Sequence, residues 1–264
     1  MGQQAECMQI LRLCRSLPTL RMGRISRLDG DMRYVVTLIL YGALTVQSAA
    51  QELSSFKAIY KIGIPNIAAA EMAVALKRED HKFLYKSAVE PRGIGNILSI
   101  RAQSQSKIIK KGEHWLPLVY EKEVSDKDKR QEYRFDWKNY KAQVLYKGEQ
   151  STLDIKTGTV DENTFQLKLR DDVISTLDSE FDRNYTLLSD GRLKERRFVK
   201  KGEETITIAD KRFNTIRIER YKNAKPDQIY WLSPKHDYLP IKIARMDGNK
   251  VRTTLTLKSW MPDK

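Results

Sequence analysis

The sequence predicts an all-β protein with one or two short helices, its antiparallel sheet so strongly curved that it makes an incomplete β-barrel. Three observations predict this. About a dozen stretches alternate apolar and polar residues, turn residues separate them every eight to twelve positions or so, and nothing rich in Gly, Pro or Ser divides residues 51–264. Side chains alternate faces along a strand, so each stretch offers one face to a core and one to water. A half-buried sheet of that many strands must curl or close to protect its edges.

Residues 1–50 stand apart. Within 32–50, Met32 and Arg33 precede an apolar run at 35–46, and the small residues Ser48 and Ala50 follow it. That is the order of a secretory signal peptide cleaved after Ala50. The run is too short to span a membrane, which takes roughly 20 residues. Residues 1–31 carry no pattern and are expected to be disordered, as a mis-assigned start ahead of Met32 or a long basic leader. Both cysteines, Cys7 and Cys14, fall in this part. The mature chain then has no disulfide, thiol nucleophile or thiolate metal site, and with no cysteine after the apolar run it is not a lipoprotein. A single periplasmic domain at 51–264 is expected.

The chain has 48 basic and 34 acidic residues, and removing the six arginines and three acids of 1–50 leaves 42 against 31, about +11. Such a balance favours an anionic envelope surface, and export argues against nucleic acid. The basic residues are interleaved with acids along the strands, which suits a solvated outer face.

Element by element, residues 56–64 form a first strand with Phe56, Ala58, Tyr60, Ile62 and Ile64 inward, ended by a turn at Pro65-Asn66. Met72, Val74 and Leu76 mark a second strand, and Phe83, Tyr85 and Val89 a third. Ile94, Ile97 and Leu98 have the spacing of a short helix. Strands resume at Gln103, turn at Lys111-Gly112, and return over 115–124, where Pro117 requires an edge or a bulge. Tyr133, Phe135 and Trp137 share a face of the next strand. Tyr140, Ala142, Val144 and Tyr146 share one of the following strand, and Leu153 and Ile155 one of a short third.

Residues 161–178 break the alternation: Asp161, Glu162 and Asn163 can cap a helix, and Phe165, Leu169, Val173 and Leu177 recur every four positions. Phe165, Leu167 and Leu169 also alternate, but the acids at the start favour helix. Beyond it, turns are expected at Asp190-Gly191 and Lys201-Gly202. Near the end, Leu239, Ile241 and Ile243 should share a face with Leu257, Leu255 and Thr253. A hairpin with even-sum pairing requires this, through a three-residue loop of Asp247, Gly248 and Asn249 rather than a two-residue Asp-Gly turn.

An ordered set of short motifs runs through the last third: Gly202-Glu203-Glu204-Thr205-Ile206, Phe213-Asn214-Thr215-Ile216-Arg217-Ile218, Tyr230-Trp231-Leu232-Ser233-Pro234, Asp237-Tyr238-Leu239-Pro240-Ile241-Lys242-Ile243 and Leu255-Thr256-Leu257-Lys258-Ser259-Trp260. In order and spacing it resembles the exported bacterial proteins grouped as domain of unknown function (DUF) family 3108. Residues 56–64, Trp115-Leu116-Pro117 and 133–137 fit more loosely. The resemblance implies a periplasmic, largely β protein and carries no catalytic residues.

Chemistry is sparse. His81, His114 and His236 lie in separate turns or strand starts, without the convergence a zinc site needs, so no metal or other cofactor is expected. His236 beside Asp237 reads as a solvated turn, Glu203-Glu204 as another turn, and no nucleophile elbow or phosphate-cradling loop occurs. Two functions remain. The first is a non-enzymatic binding protein holding an apolar or amphipathic envelope molecule, such as a lipid, on an inward aromatic face formed by Tyr60, Tyr133, Phe135, Trp137 and Trp231. Trp231 is expected in the core or on a cavity wall. The second is an envelope hydrolase acting on cell-wall or sugar polymers through carboxylates brought together by the fold. No feature indicates an oligomeric state.

Overall fold

The first and last strands of the sheet pair with each other in its middle rather than lying at its rims. A computed structural model describes residues 53–64, 67–93, 101–125, 130–176 and 180–263. The expected leader and signal peptide, the expected turn at Pro65-Asn66 and the expected short helix around Ile94, Ile97 and Leu98 lie outside the described residues.

From β1 (Phe56–Ile64) the chain meanders outward through β2 (Ile67–Glu79), β3 (Lys82–Pro91), β4 (Ala102–Lys111), β5 (His114–Val124), β6 (Gln131–Asp136), β7 (Lys141–Tyr146) and β8 (Glu149–Asp154). It then enters α1 (Glu162–Ser175) and returns as β9 (Asp182–Ser189), β10 (Arg192–Ile208), β11 (Lys211–Tyr221), β12 (Pro226–Ser233), β13 (Leu239–Asp247) and β14 (Lys250–Pro262). One antiparallel sheet results, in the order β8 to β1 and then β14 to β9. β1 and β14 form its central seam, with Phe56 opposite Pro262.

The sheet's rims, β8 and β9, are joined by α1, and the sheet wraps around that helix. Phe165, Leu169 and Val173 pack with Phe198, Ile218 and Tyr230 from one flank of the sheet. Leu167 packs with Phe56, Leu76 and Trp115 from the other. Each large side chain so buried is worth about 1.5–3 kcal/mol. The barrel does not close by strand pairing, but the gap is spanned: Val160 N donates to Thr186 O (3.0 Å) and Leu188 N to Val160 O (2.9 Å). This isolated bridge pairs one acceptor and one donor on the otherwise open edge of β9. Near the same gap Gly191, at φ +70°, sits where a Cβ would come within 2.8 Å of the Tyr146 ring.

The expected curved, incomplete barrel is what forms, and the helix foreseen for the first part of 161–178 extends over Glu162–Ser175. Several local expectations are corrected, mostly by bulges, in which one extra residue shifts the faces of everything beyond it. Pairing of β1 with β2 shifts between Ile62 and Gly63, and Ile64 is exposed rather than inward. Pro117 does sit beside a bulge, opposite the shift between Lys107 and Ile108. Tyr140 belongs to no strand face; it turns the chain at φ 53° and is exposed. Lys201-Gly202 is no turn, because β10 runs through it and Gly202 at φ +109° makes a bulge. Glu203 and Glu204 are accordingly strand residues.

The last hairpin keeps the expected even-sum register, Ile243 with Leu255 and Arg245 with Thr253. It reaches it differently: a two-residue turn, Gly248-Asn249, follows the pair Asp247–Lys250, and a bulge between Arg245 and Met246 restores the parity. A second bulge, between Trp231 and Leu232, leaves Ile241 unpaired with β12. Ile241 therefore joins Ile229, Trp231 and Ala244 in a cluster on the outer face, while Ile243 packs inward. Leu255, which packs with the inner cluster around Leu239, does not share the face of Ile241.

Candidate functional site

Helix α1 fills one end of the barrel and leaves a cavity of about 380 Å³ beside its first turn. Asp161 places that turn. Its extended backbone (φ −83°, ψ 176°) makes it the N-cap. Its carboxylate accepts from Asn163 N (2.8 Å), Thr164 N (2.9 Å), Thr164 Oγ1 (2.7 Å) and Ser106 Oγ (2.8 Å). Burial pushes its pKa up against these four donors. The cap fixes the helix entry to β4, and Glu162, Asn163 and Gln166 then face the cavity.

The opposite wall is partly apolar, with Met72, Val74, Val89, Pro240, Ile243 and Leu255. Polar side chains interrupt it: Tyr60, Tyr85, Ser87 and Ser104. Ser87 and Ser104 share a hydrogen bond (2.9 Å), and Ser104 Oγ donates to Asn163 Oδ1 (3.2 Å). Asn163 is 6% exposed, and its Nδ2 is buried with no partner among the described residues. Glu162 accepts from Tyr120 OH (2.8 Å), Lys122 Nζ (3.0 Å) and Ser189 Oγ (2.6 Å). Burial would raise its pKa, but Lys122, Ser189 and Tyr120 outweigh that and hold it below the usual carboxylate range.

Deeper along α1, Arg170 is 2% exposed; Nε (2.9 Å) and Nη2 (2.7 Å) donate to the Asp237 carbonyl, and Nη1 has no partner among the described residues. Burial pulls its pKa down to about 10, so it stays charged at neutral pH. Burial raises the hydroxyls of Tyr60 and Tyr85 well above the ordinary tyrosine value, and both stay protonated donors. Tyr230, whose hydroxyl donates to Gln228 Oε1 (2.7 Å), is pushed up to about 12 by burial.

The five aromatic residues singled out in the sequence do not form one surface. Tyr60 lines the cavity. Tyr133 is fully buried, stacked on Tyr120 at 5.1 Å, its hydroxyl donating to Gln131 Oε1 (2.7 Å) and accepting from Gly191 N (3.1 Å). Phe135 and Trp137 stack at 5.8 Å, and Trp137 Nε1 donates to Pro117 O (2.7 Å). Trp231 lies on the outer face, where Nε1 donates to Glu204 Oε2 (3.0 Å) and Lys242 Nζ sits 4.9 Å above the ring. The polar lining went unnoticed in the sequence, yet it leaves a signal. Ser87 follows Tyr85 at inward parity, and Ser104 and Ser106 precede Ile108 likewise, so small polar residues mark where the wall recedes.

Two further features invite comparison. Small residues Ala73, Ala75 and Ala88 with Ile59 leave a hollow of about 510 Å³ on the outer face of β1–β5. None of the buried unpartnered atoms lies on that outer face of β1–β5. Ser233 Oγ lies 2.9 Å from His236 Nδ1, so His236 is half-buried and bonded rather than solvated. Ser233 is 1% exposed and three residues from His236, which makes the contact a loop cap, not a nucleophile with its base. Among the described lining of the inner cavity Glu162 is the one carboxylate, so no acid pair faces across it.

Sheet, helix and cavity together define a β-barrel-like protein, an antiparallel sheet rolled around one helix. The chain belongs to the family described as "Protein of unknown function (DUF3108)", which matches residues 55–256. Its fold is similar to the crystal structure of a beta-barrel-like protein of domain of unknown function DUF1849 from Brucella abortus. The two share 13% identity and a TM-score of 0.51, over 81% of this chain and 99% of that one. That likeness is one of fold alone. No curated protein sequence matches.

Proposed function

We propose that this is a non-catalytic binding protein of the periplasm that holds one small amphipathic molecule, derived from the cell envelope, in the cavity beside the first turn of α1. The observation that carries the reading is a half-open pocket of about 380 Å³ with an apolar wall and a few convergent polar groups. Ligand pockets run from about 300 to 1,000 Å³ and have this mixed lining. The signal-peptide pattern at 32–50 supplies the compartment, and the basic balance of the mature chain suits an anionic envelope surface nearby. The aromatic residues Tyr133, Phe135 and Trp137 frame the packed part of the barrel, and Tyr60 is the one of the five that would touch the bound molecule.

Mass spectrometry of the protein released from the periplasm without denaturation tests this. The expected result is a chain beginning at Gln51 that carries one non-covalent small molecule. A bare chain that also fails to take up the fluorescent probe 1-anilinonaphthalene-8-sulfonate would overturn the binding reading, and a chain recovered intact from the cytoplasm would overturn the export reading.

A further inference from the structure

We infer that the cavity selects a carboxylate-headed amphiphile, with the head against the Asn163 amide and the tail along Met72, Val74 and Leu255. This rests on the binding reading above and names the chemistry of its ligand. A buried polar group without a partner is uncommon, because desolvation is not repaid, and each case calls for a cause. Asn163 Nδ2 is such a group, on a residue 94% buried, and it lines the cavity. Ser104 donates to its Oδ1, and the N–H₂ end is left unused.

The surroundings carry surplus donors rather than surplus acceptors. Tyr60 and Tyr85, with protonated hydroxyls, line the same space. Arg170, whose charge is felt by both tyrosines, keeps Nη1 without a partner among the described residues. The acids do not counter this: Asp161 is occupied by four donors, and Glu162 is satisfied by Tyr120, Lys122 and Ser189. An excess of donors near a buried cation, at the positive end of a 14-residue helix, selects an anionic acceptor. The apolar residues opposite select a hydrocarbon tail. A phosphate head would bring a larger charge and more acceptor oxygens than these few donors can meet, so a carboxylate fits better.

The test is titration of the full chain with decanoate and with decanol, which share a tail and differ in the head, read by calorimetry. One decanoate should bind per chain, at least tenfold tighter than decanol. Asn163→Asp keeps the shape and the acceptor for Ser104 but turns the free N–H₂ into an oxygen. It should weaken decanoate at least tenfold and leave decanol unchanged. Asn163→Ser, which removes the N–H₂ without adding a charge, serves as a second variant if Asn163→Asp does not fold, and should likewise lose the preference for decanoate. Equal binding of both probes, or an Asn163→Asp chain that still prefers decanoate, would overturn the head assignment while leaving a binding protein. Binding of neither probe would overturn both.

Discussion

Two faces of α1 sit in the same rolled sheet and meet opposite interiors. On one face, Phe165 touches the rings of Tyr185 (5.3 Å) and Phe198 (4.7 Å), and Phe198 in turn meets Tyr230 (5.9 Å). That interior is solid. At the first turn, inward positions that carry aromatics elsewhere carry Ser87, Ser104 and Asn163, and the walls part. A barrel this size is too wide to be filled by its own side chains throughout. The helix fills what it can reach, and its polar first turn leaves the rest.

The contrast predicts unequal responses to substitution. Phe198→Ala, in the solid part, should lose about 3–5 kcal/mol of unfolding free energy in urea titration, as large core truncations do. A loss under about 1 kcal/mol would mean that this interior is not close-packed. Asp161→Ala stands at the boundary: losing a helix cap costs about 0.5–2 kcal/mol, and stranding the Ser106 hydroxyl puts the expected loss near the upper end, about 2 kcal/mol. It should also abolish probe uptake, since it releases the turn that shapes the cavity.

Acid should act next, through Glu162. Its folded pKa lies below the unfolded value, so its contribution is present above the unfolded pKa and is lost as pH falls through the folded one. Urea midpoints taken from pH 7 down to 3 should decline less steeply in Glu162→Gln than in the parent; parallel declines would remove Glu162 from the acid response. The smallest effect is expected at the cavity wall. Val89→Leu adds one methylene to a space that has room, and stability should change by less than about 1 kcal/mol while uptake of the fluorescent probe falls. Overpacking of a filled core costs about 1–3 kcal/mol, so a loss of that size would show that the space is already occupied by side chains.

How much of this the residues announce depends on whether a feature is local. Phe56, Ala58 and Tyr60, or Phe83 and Tyr85, declare their face by period-two alternation, and all five are buried. Asp161 followed by apolar residues at fourfold spacing declares the helix. Bulges are harder, because one extra residue changes parity without changing composition. Ile241 reads as inward by its neighbours and faces out because β13 slips by one against β12. Gly202 illustrates the same ambiguity: a glycine with positive φ serves a bulge as well as a turn, and only the partner strand decides between them. The cavity is less legible still, since a void belongs to two walls that are distant in the chain. The scattering of Tyr60, Tyr133, Phe135, Trp137 and Trp231 has the same origin: shared parity within a strand says nothing of which strands stand together.

The seam between β1 and β14 bears on how such a protein is made. Phe56 finds its partner, Pro262, only when the chain has been delivered through all the strands that lie between them. Each wing can zip up by neighbouring hairpins as it emerges, but the wings cannot be locked to one another before the final strand arrives. A chain handed through a narrow passage from its leading end would therefore stay threadable until the last moment, and become a rolled sheet in one closing step.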